Sequence, residues 1–286
     1  MAEKDFECSG GLRGCLNIKY RSGMKTKIEK TCVVLNIGTQ GIADSDSVMT
    51  HLADLRHAEQ IPDVLLLLSH PPCLSIGARP LNQSDLLMPL EFFRSKGIGL
   101  YQSDRGGGLT YHWPGQLICY PVMKLDAHEK NIPGYMARLE EVAIRTLRAF
   151  GVQAHRKREH TAQIGLWVGD RKIASMGISI SRWITQYGFA LNLYGDMSPS
   201  MYIRPCGLKD VSLTSIEQLT GITVDREKVV QYLIPHFSHV FDRHMIVDEA
   251  RGVGHPGYHD TERIVKTIGE ISSYEINLEK TDEEWV

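Results

Sequence analysis

Apolar residues along the chain fall into two kinds of pattern, short continuous runs and stripes with a helical repeat. TCVVLNIG (residues 31–38) reads as a buried strand, and DVLLLLSH (63–70) as a central strand ended by Pro71 and Pro72. Between them, Val48, Leu52 and Leu55 recur at helical spacing, with Asp44 or Asp46 placed to cap the start. LEFFRSKG (90–97) is a short helix stopped by Gly97. GLTYH and QLICYPV are strands separated by a Trp113-Pro114-Gly115 turn. The clearest helix runs from Pro133 to Gly151, with Met136, Leu139, Ala143, Leu147 and Phe150 along one side. Residues 163–181 form a hairpin turning at Gly169-Asp170, and GFALNL (188–193) is a further strand. A second amphipathic helix in DREKVVQYLIPHFSHVFD directs Val230, Leu233, Phe237 and Phe241 inward.

Strands interleaved with helices, by hairpins as well as crossovers, predict a mixed α+β domain over residues 31–245. A polar N-terminal extension, 1–30, precedes it. A polar C-terminal extension, 246–286, follows and loses its period after about residue 250. The alternation is too irregular for a Rossmann fold, and the glycines at 106–108 lack the G-x-G-x-x-G spacing of a dinucleotide site.

Composition narrows the picture. The 286 residues are 42% hydrophobic, enough for a sizeable core. A formal net charge of −2 argues against a nucleic-acid binder, and no run is long enough to span a membrane. The first thirty residues lack an apolar signal core, and Glu3, Asp5 and Glu7 have the wrong charge for a transit peptide. The six cysteines (Cys8, Cys15, Cys32, Cys73, Cys119 and Cys206) show no C-x-x-C spacing. That excludes a zinc framework and suits a reducing cytoplasm. Cys32 and Cys119 sit in apolar runs and read as core. Arg156, Lys157, Arg158 and Arg171 cluster as a basic surface fit for an acidic partner.

Chemistry concentrates in four stretches. DRGGGLTYHWPGQ removes side chains at Gly106, Gly107 and Gly108, which lets backbone pass close to another group, and brackets them with Arg105 and His112. In RKIASMGISISRW, Lys172 opens a strand and reads on its own as an edge lysine with its amine in water. GFALN by itself says only strand. In RPCGLKD, Cys206 stands between a proline and a glycine rather than in an apolar run, which makes it the best nucleophile candidate of the six.

Together these stretches resemble the lipoyl(octanoyl) transferases of the LipB type. The resemblance rests on RGG-x-x-TYH-x-PGQL-x-x-YP, KIA-x-x-G-x-x-ISR, GFALN and PCGL, in that order, and covers roughly residues 30–220. It implies a biotin/lipoate-ligase-like α+β catalytic domain that moves an octanoyl group from acyl carrier protein to a lysine of a lipoyl domain. The acceptors it implies are the lipoyl domains of 2-oxoacid dehydrogenases or the glycine cleavage H protein. Cys206 would carry the acyl thioester with Lys172 as its partner, and neither cofactor nor metal would be needed. Arg105, Gly106, Gly107, Gly108, Leu109, Thr110, Tyr111, His112, Ser175, Met176, Gly177, Gly188, Phe189 and Ala190 would line the acyl site, the glycines lying against the acyl chain.

The chain departs from the pattern at Trp113, usually Gly, and at Tyr187, often His. A Trp beside His112 would narrow the pocket or reorganise the turn. Two other readings stand beside the first. One is an ATP-dependent lipoate ligase or octanoyl-moving amidotransferase of the same fold, which does not need the cysteine. The other is a non-catalytic acyl- or biotin-binding regulator, for which Trp113 speaks best.

Overall fold

The structure, a computed structural model, describes residues 30–157, 163–204, 211–247 and 264–269. Its frame is a nine-stranded mixed sheet. In chain order the strands are β1 (Thr31–Thr39), β2 (Asp63–Ser69), β6 (Gln116–Val122), β7 (His155–Arg156), β8 (Gly165–Val168), β9 (Arg171–Ser181), β10 (Ile184–Asn192), β11 (Ser212–Leu213) and β12 (His244–Val247). They lie in the order β12-β1-β2-β6-β10-β9-β8-β7, with β11 added in parallel to β9. A second sheet of three strands comprises β3 (Cys73–Ile76), β4 (Gly99–Gln102) and β5 (Leu109–His112), with β3 in the middle.

Period-2 alternation sorts the large sheet's side chains onto two faces. Cys32, Val34, Leu65, Leu67, Leu117 and Cys119 pack beneath α3 (Ile132–Ala149) and α5 (Arg226–Phe241). Val33, Leu35, Val64, Leu66, Leu68 and Ile118 face α1 (Ile42–His57). Covering both faces explains why β2 is a continuous apolar run rather than an alternating one, since all seven of its residues are buried.

Local chemistry sets the helix ends. The Asn131 side chain accepts from Gly134 N at 3.2 Å to start α3, and the Asp225 carboxylate accepts from Glu227 N at 2.9 Å to start α5. The expected cap of α1 is not present. Its N-cap is Gly41, which leaves Asp44 and Asp46 inside the helix. A short α2 (Leu90–Ser95) ends before Gly97, whose φ of +71° closes the turn, and α4 (Ile216–Thr220) starts on the Ser215 hydroxyl. Gly169-Asp170 turns the β8–β9 hairpin as the sequence predicts, pairing Val168 with Arg171.

β5 and β6 flank the Trp113-Pro114-Gly115 turn as the sequence predicts, and they run into different sheets. β5 joins β3 in the small sheet, and β6 joins β2 and β10 in the large one. The 245/246 boundary falls inside β12, and Ile246, Ile264 and Ile268 are buried with the α1-side core. Cys32, Cys73 and Cys119 are buried free thiols, and burial pushes all three thiol pKa values up. Cys8, Cys15 and Cys206 lie outside the described residues.

Candidate active site

A cleft open to solvent lies where the small sheet meets the large one. Its wall is built by Arg105, Thr110, His112, Tyr120, Ser175, Met176, Gly177, Gly188, Phe189 and Ala190. Four separate stretches of chain therefore converge. β9 and β10 are antiparallel neighbours with Gly177 opposite Gly188, Met176 opposite Phe189 and Ser175 opposite Ala190. β5 supplies Thr110 and His112 from above. Tyr120, which the sequence reading leaves out, enters from β6, and its two-residue offset from Ile118 was the available signal.

The glycines at 106–108 fit the two sheets together. Gly106 donates its N–H to Ile178 O at 2.9 Å, and a Cβ on Gly177 would stand 2.9 Å from Gly106 O. Gly107 adopts φ +90° and its carbonyl accepts from Arg79 N. A Cβ on Gly108 would strike the Arg79 guanidinium at 2.6 Å, and one on Gly77 would meet Gly107 O at 2.5 Å. This packed loop cradles the Arg105 side chain, which donates to Ser75 Oγ, Ser75 O, Gly106 O and Gly108 O at 2.8–3.1 Å. Gly106, Gly107 and Gly108 thus hold Arg105 at the cleft. Leu109 and Tyr111 point elsewhere, because alternation along β5 turns them into a third core beneath the small sheet.

The polar end of the cleft is a chain of buried groups. His112 Nδ1 lies 2.9 Å from Gln116 Oε1, and Gln116 Nε2 donates to Asn192 Oδ1 at 3.0 Å. Asn192 Nδ2 donates to Thr214 O at 2.9 Å and to Lys172 O at 3.3 Å. His70 packs edge-on to His112 with ring centroids 5.3 Å apart. Its Nδ1 donates to Gln40 O at 2.7 Å, so its Nε2 accepts from the Tyr120 hydroxyl at 3.3 Å. Burial lowers the His70 pKa to about 4. Burial also holds His112 well below the usual imidazole range, with His70 and Arg105 adding to the effect. Both rings are neutral near pH 7.

Lys172 is not an edge lysine. β9 is interior to the sheet, and Lys172 is only 6% exposed, its Nζ 5.4 Å from the Trp167 ring centroid. The stem passes over Gly165, where a Cβ would meet Lys172 Cε at 2.5 Å. β11 sets Ser212 beside Arg171 and Leu213 beside Lys172, so the chain that follows the PCG motif returns to Lys172.

Trp113 is buried against the turn, away from the cleft. Its ring stacks on Tyr111 at 5.4 Å and its Nε1 donates to Tyr194 O at 2.7 Å. The Tyr187 hydroxyl accepts from Asp104 N at 3.1 Å and bonds to Asp46, whose pKa burial raises to about 6. The basic cluster is largely spent on internal pairs. Arg156 binds Glu140 and Glu141, each at 2.9 Å, and Lys157 binds Asp170 at 2.8 Å; Arg158 lies outside the described residues. Among the described residues, no group of three or more His, Cys, Asp or Glu side chains is placed to hold a metal, and no helix is long and apolar enough to cross a membrane.

The sequence matches the lipoyl protein ligase A/B catalytic domain over residues 43–238, well over half the chain. The chain belongs to that family. It is 36% identical over 210 residues to an octanoyltransferase of Desulforamulus reducens, covering 73% of this chain and 90% of that one. It is 40% identical over 190 residues to an octanoyltransferase of Caldicellulosiruptor bescii, covering 66% and 82%. Among solved structures it superposes on Ta0514, a putative lipoate protein ligase from T. acidophilum, with a TM-score of 0.62 at 18% identity, covering 85% of this chain and 95% of that one. It superposes on a lipoate-protein ligase A bound with ATP with a TM-score of 0.60 at 16% identity, covering 84% and 94%. The α+β fold is that of the lipoate ligases.

Proposed function

We propose that the protein transfers an octanoyl group from the thioester of an acyl carrier protein to a lysine ε-amine of a lipoyl domain, through a thioester on Cys206. It is an acyltransferase of the octanoyltransferase kind. The observation that carries the reading is the convergence of nine residues from three motifs on one cleft: Arg105, Thr110, His112, Ser175, Met176, Gly177, Gly188, Phe189 and Ala190.

In the first step the Cys206 sulfur attacks the donor carbonyl. A carbon–sulfur bond forms, the carrier's carbon–sulfur bond breaks, and the Cys206 proton ends on the departing carrier thiol. Exchange of one thioester for another is close to isoenergetic. In the second step the lysine nitrogen attacks the same carbonyl, Cys206 leaves as thiol, and an amide remains. Lys172 as ammonium favours the Cys206 thiolate. Activation is already present in the donor thioester, so ATP and metal have no role. The acceptors are lipoyl domains of 2-oxoacid dehydrogenases or the glycine cleavage H protein, and the setting is the cytoplasm.

An ATP-dependent ligase is the alternative that the shared fold keeps in view. Incubating the protein with octanoyl-acyl carrier protein and a lipoyl domain, with and without ATP, separates the two. Equal octanoylation in both arms supports transfer, and octanoylation only with free octanoate and ATP supports ligation.

A further inference from the structure

We propose that Asn192 and Gln116 are positioning residues that lock His112 in its Nδ1–H tautomer, so that Nε2 stands in the cleft as a fixed proton acceptor for the incoming lysine amine. This rests on the octanoyl-transfer reading above.

The tautomer follows from a chain of hydrogen bonds with only one consistent direction. The carbonyls of Lys172 and Thr214 can only accept, so the group of Asn192 facing both is its NH₂. Flipping that amide would set Oδ1 against two carbonyl oxygens. Asn192 Oδ1 therefore faces Gln116 and accepts from Gln116 Nε2 at 3.0 Å. That leaves Gln116 Oε1, an acceptor, 2.9 Å from His112 Nδ1. Nδ1 must carry the proton, and in a neutral ring Nε2 then holds a lone pair. Register makes the arrangement rigid, because Gln116 on β6 pairs directly with Asn192 on β10. The same relay ends on the backbone of Lys172, tying the ring to the strand that carries the candidate catalytic lysine.

The groups packed about the ring keep it neutral. Arg105 lies on the loop before β5, His70 follows β2, Tyr120 comes from β6, and Cys73 of β3 is the strand partner of His112. The Arg105 cation and the burial both oppose an imidazolium. His70 cannot supply the same acceptor to the cleft, since its Nε2 is taken by Tyr120. An octanoyl chain and its carbonyl bring no hydrogen-bond donor to Nε2. The attacking amine does, and loses a proton as the amide forms.

The test reads two things from the intact protein. Long-range ¹H–¹⁵N correlation of the histidines, with His112 assigned by its loss in His112→Gln, gives the tautomer directly. We expect Nδ1–H with unprotonated Nε2 from pH 6 to 8.5. An Nε2–H tautomer, or a proton taken up with an ordinary imidazole midpoint, would overturn the proposal. Single-turnover kinetics give the role. His112→Gln should slow amide formation from pre-loaded octanoyl-enzyme by roughly a hundredfold, at the low end for general acid–base groups, while acyl loading changes less than threefold. Gln116→Glu should move the amide-formation pH profile to higher pH, because a carboxylate beside Nδ1 favours imidazolium. Equal slowing of both half-reactions, or an unmoved profile in a folded Gln116→Glu protein, would contradict it. Failure of the wild-type protein to load octanoyl at all would fault the transfer reading instead, and the tautomer measurement does not depend on loading.

Discussion

Gly106 and Gly177 touch backbone to backbone, with 2.9 Å between Gly106 O and the place a Cβ would occupy on Gly177. The contact fastens the small sheet's loop to β9, and Arg105 Cδ lies 3.1 Å from the same point. Gly177→Ala therefore forces the two apart against a backbone atom that has little freedom to yield. The expected cost is about 1–3 kcal/mol, the usual penalty for overpacking, together with a displaced Arg105 and weaker acyl loading. Urea denaturation and loading kinetics on the same preparation check it. Wild-type values for both would show that the sheets are less tightly joined than the geometry says.

Lys172 contributes packing as well as charge. Its stem lies on Gly165 and Trp167 inside the sheet. Lys172→Ala should lower stability by about 1–3 kcal/mol, whereas Lys172→Met, which keeps the aliphatic length, should lose much less. Both should lose transfer, and in both the thiol of Cys206 should react with iodoacetamide only at higher pH. An unshifted alkylation profile in Lys172→Met would remove the lysine from the chemistry.

Trp113 fills the third core and caps the β5–β6 turn, so it does not set acyl length. Trp113→Gly should leave the relative use of hexanoyl, octanoyl and decanoyl donors unchanged while costing about 3–5 kcal/mol, as loss of a buried Trp does. A changed donor preference would mean that the ring reaches the cleft after all. The burial of Trp113 also removes the best support for a non-catalytic binding role.

Acid should unfold the protein through the cluster that closes the far edge of the sheet. Arg243 bonds Asp63 and Glu129, each at 2.8 Å, while Arg56 bonds Asp63 at 2.7 Å. Burial pushes the Glu129 carboxyl up, but bonds from Arg243, the Asp126 backbone and Arg138 bring it below the ordinary range. A carboxyl lowered on folding adds stability above its unfolded pKa of about 4.3, and loses it as pH falls through the folded value. The Glu129 contribution should be complete at pH 7 and vanish in the acid range below pH 4.3. Glu129→Gln should lower the urea midpoint at pH 7 and flatten its fall in acid. Parallel pH curves for the two proteins would contradict the assignment.

Much of this was legible from the chain because the signals were local. Continuous apolar runs marked β1 and β2, helical stripes marked α3 and α5, and Gly169-Asp170 marked a hairpin. The tip joining β9 to β10 was not legible, since Arg182 and Trp183 take φ of +53° and +63° with no glycine to announce the turn. Nor was the burial of Lys172, because a lysine at a strand's start looks the same on an edge strand as on an interior one. At the site, Arg105, Thr110 and His112 were read together, but not the alternation that turns Leu109 and Tyr111 away. The Gln116–Asn192 relay joins residues 76 apart in sequence and needs the β6–β10 register to be seen.

The central claim is an acyl-enzyme on Cys206, and intact-protein mass spectrometry reads it most directly. Incubation with octanoyl-acyl carrier protein, without ATP, should add one octanoyl group to the wild-type chain, and none to Cys206→Ala. The adduct should be lost to hydroxylamine and on addition of a lipoyl domain. A wild-type chain that stays unmodified while the lipoyl domain becomes octanoylated, or a Cys206→Ala chain that still carries the group, would contradict the account.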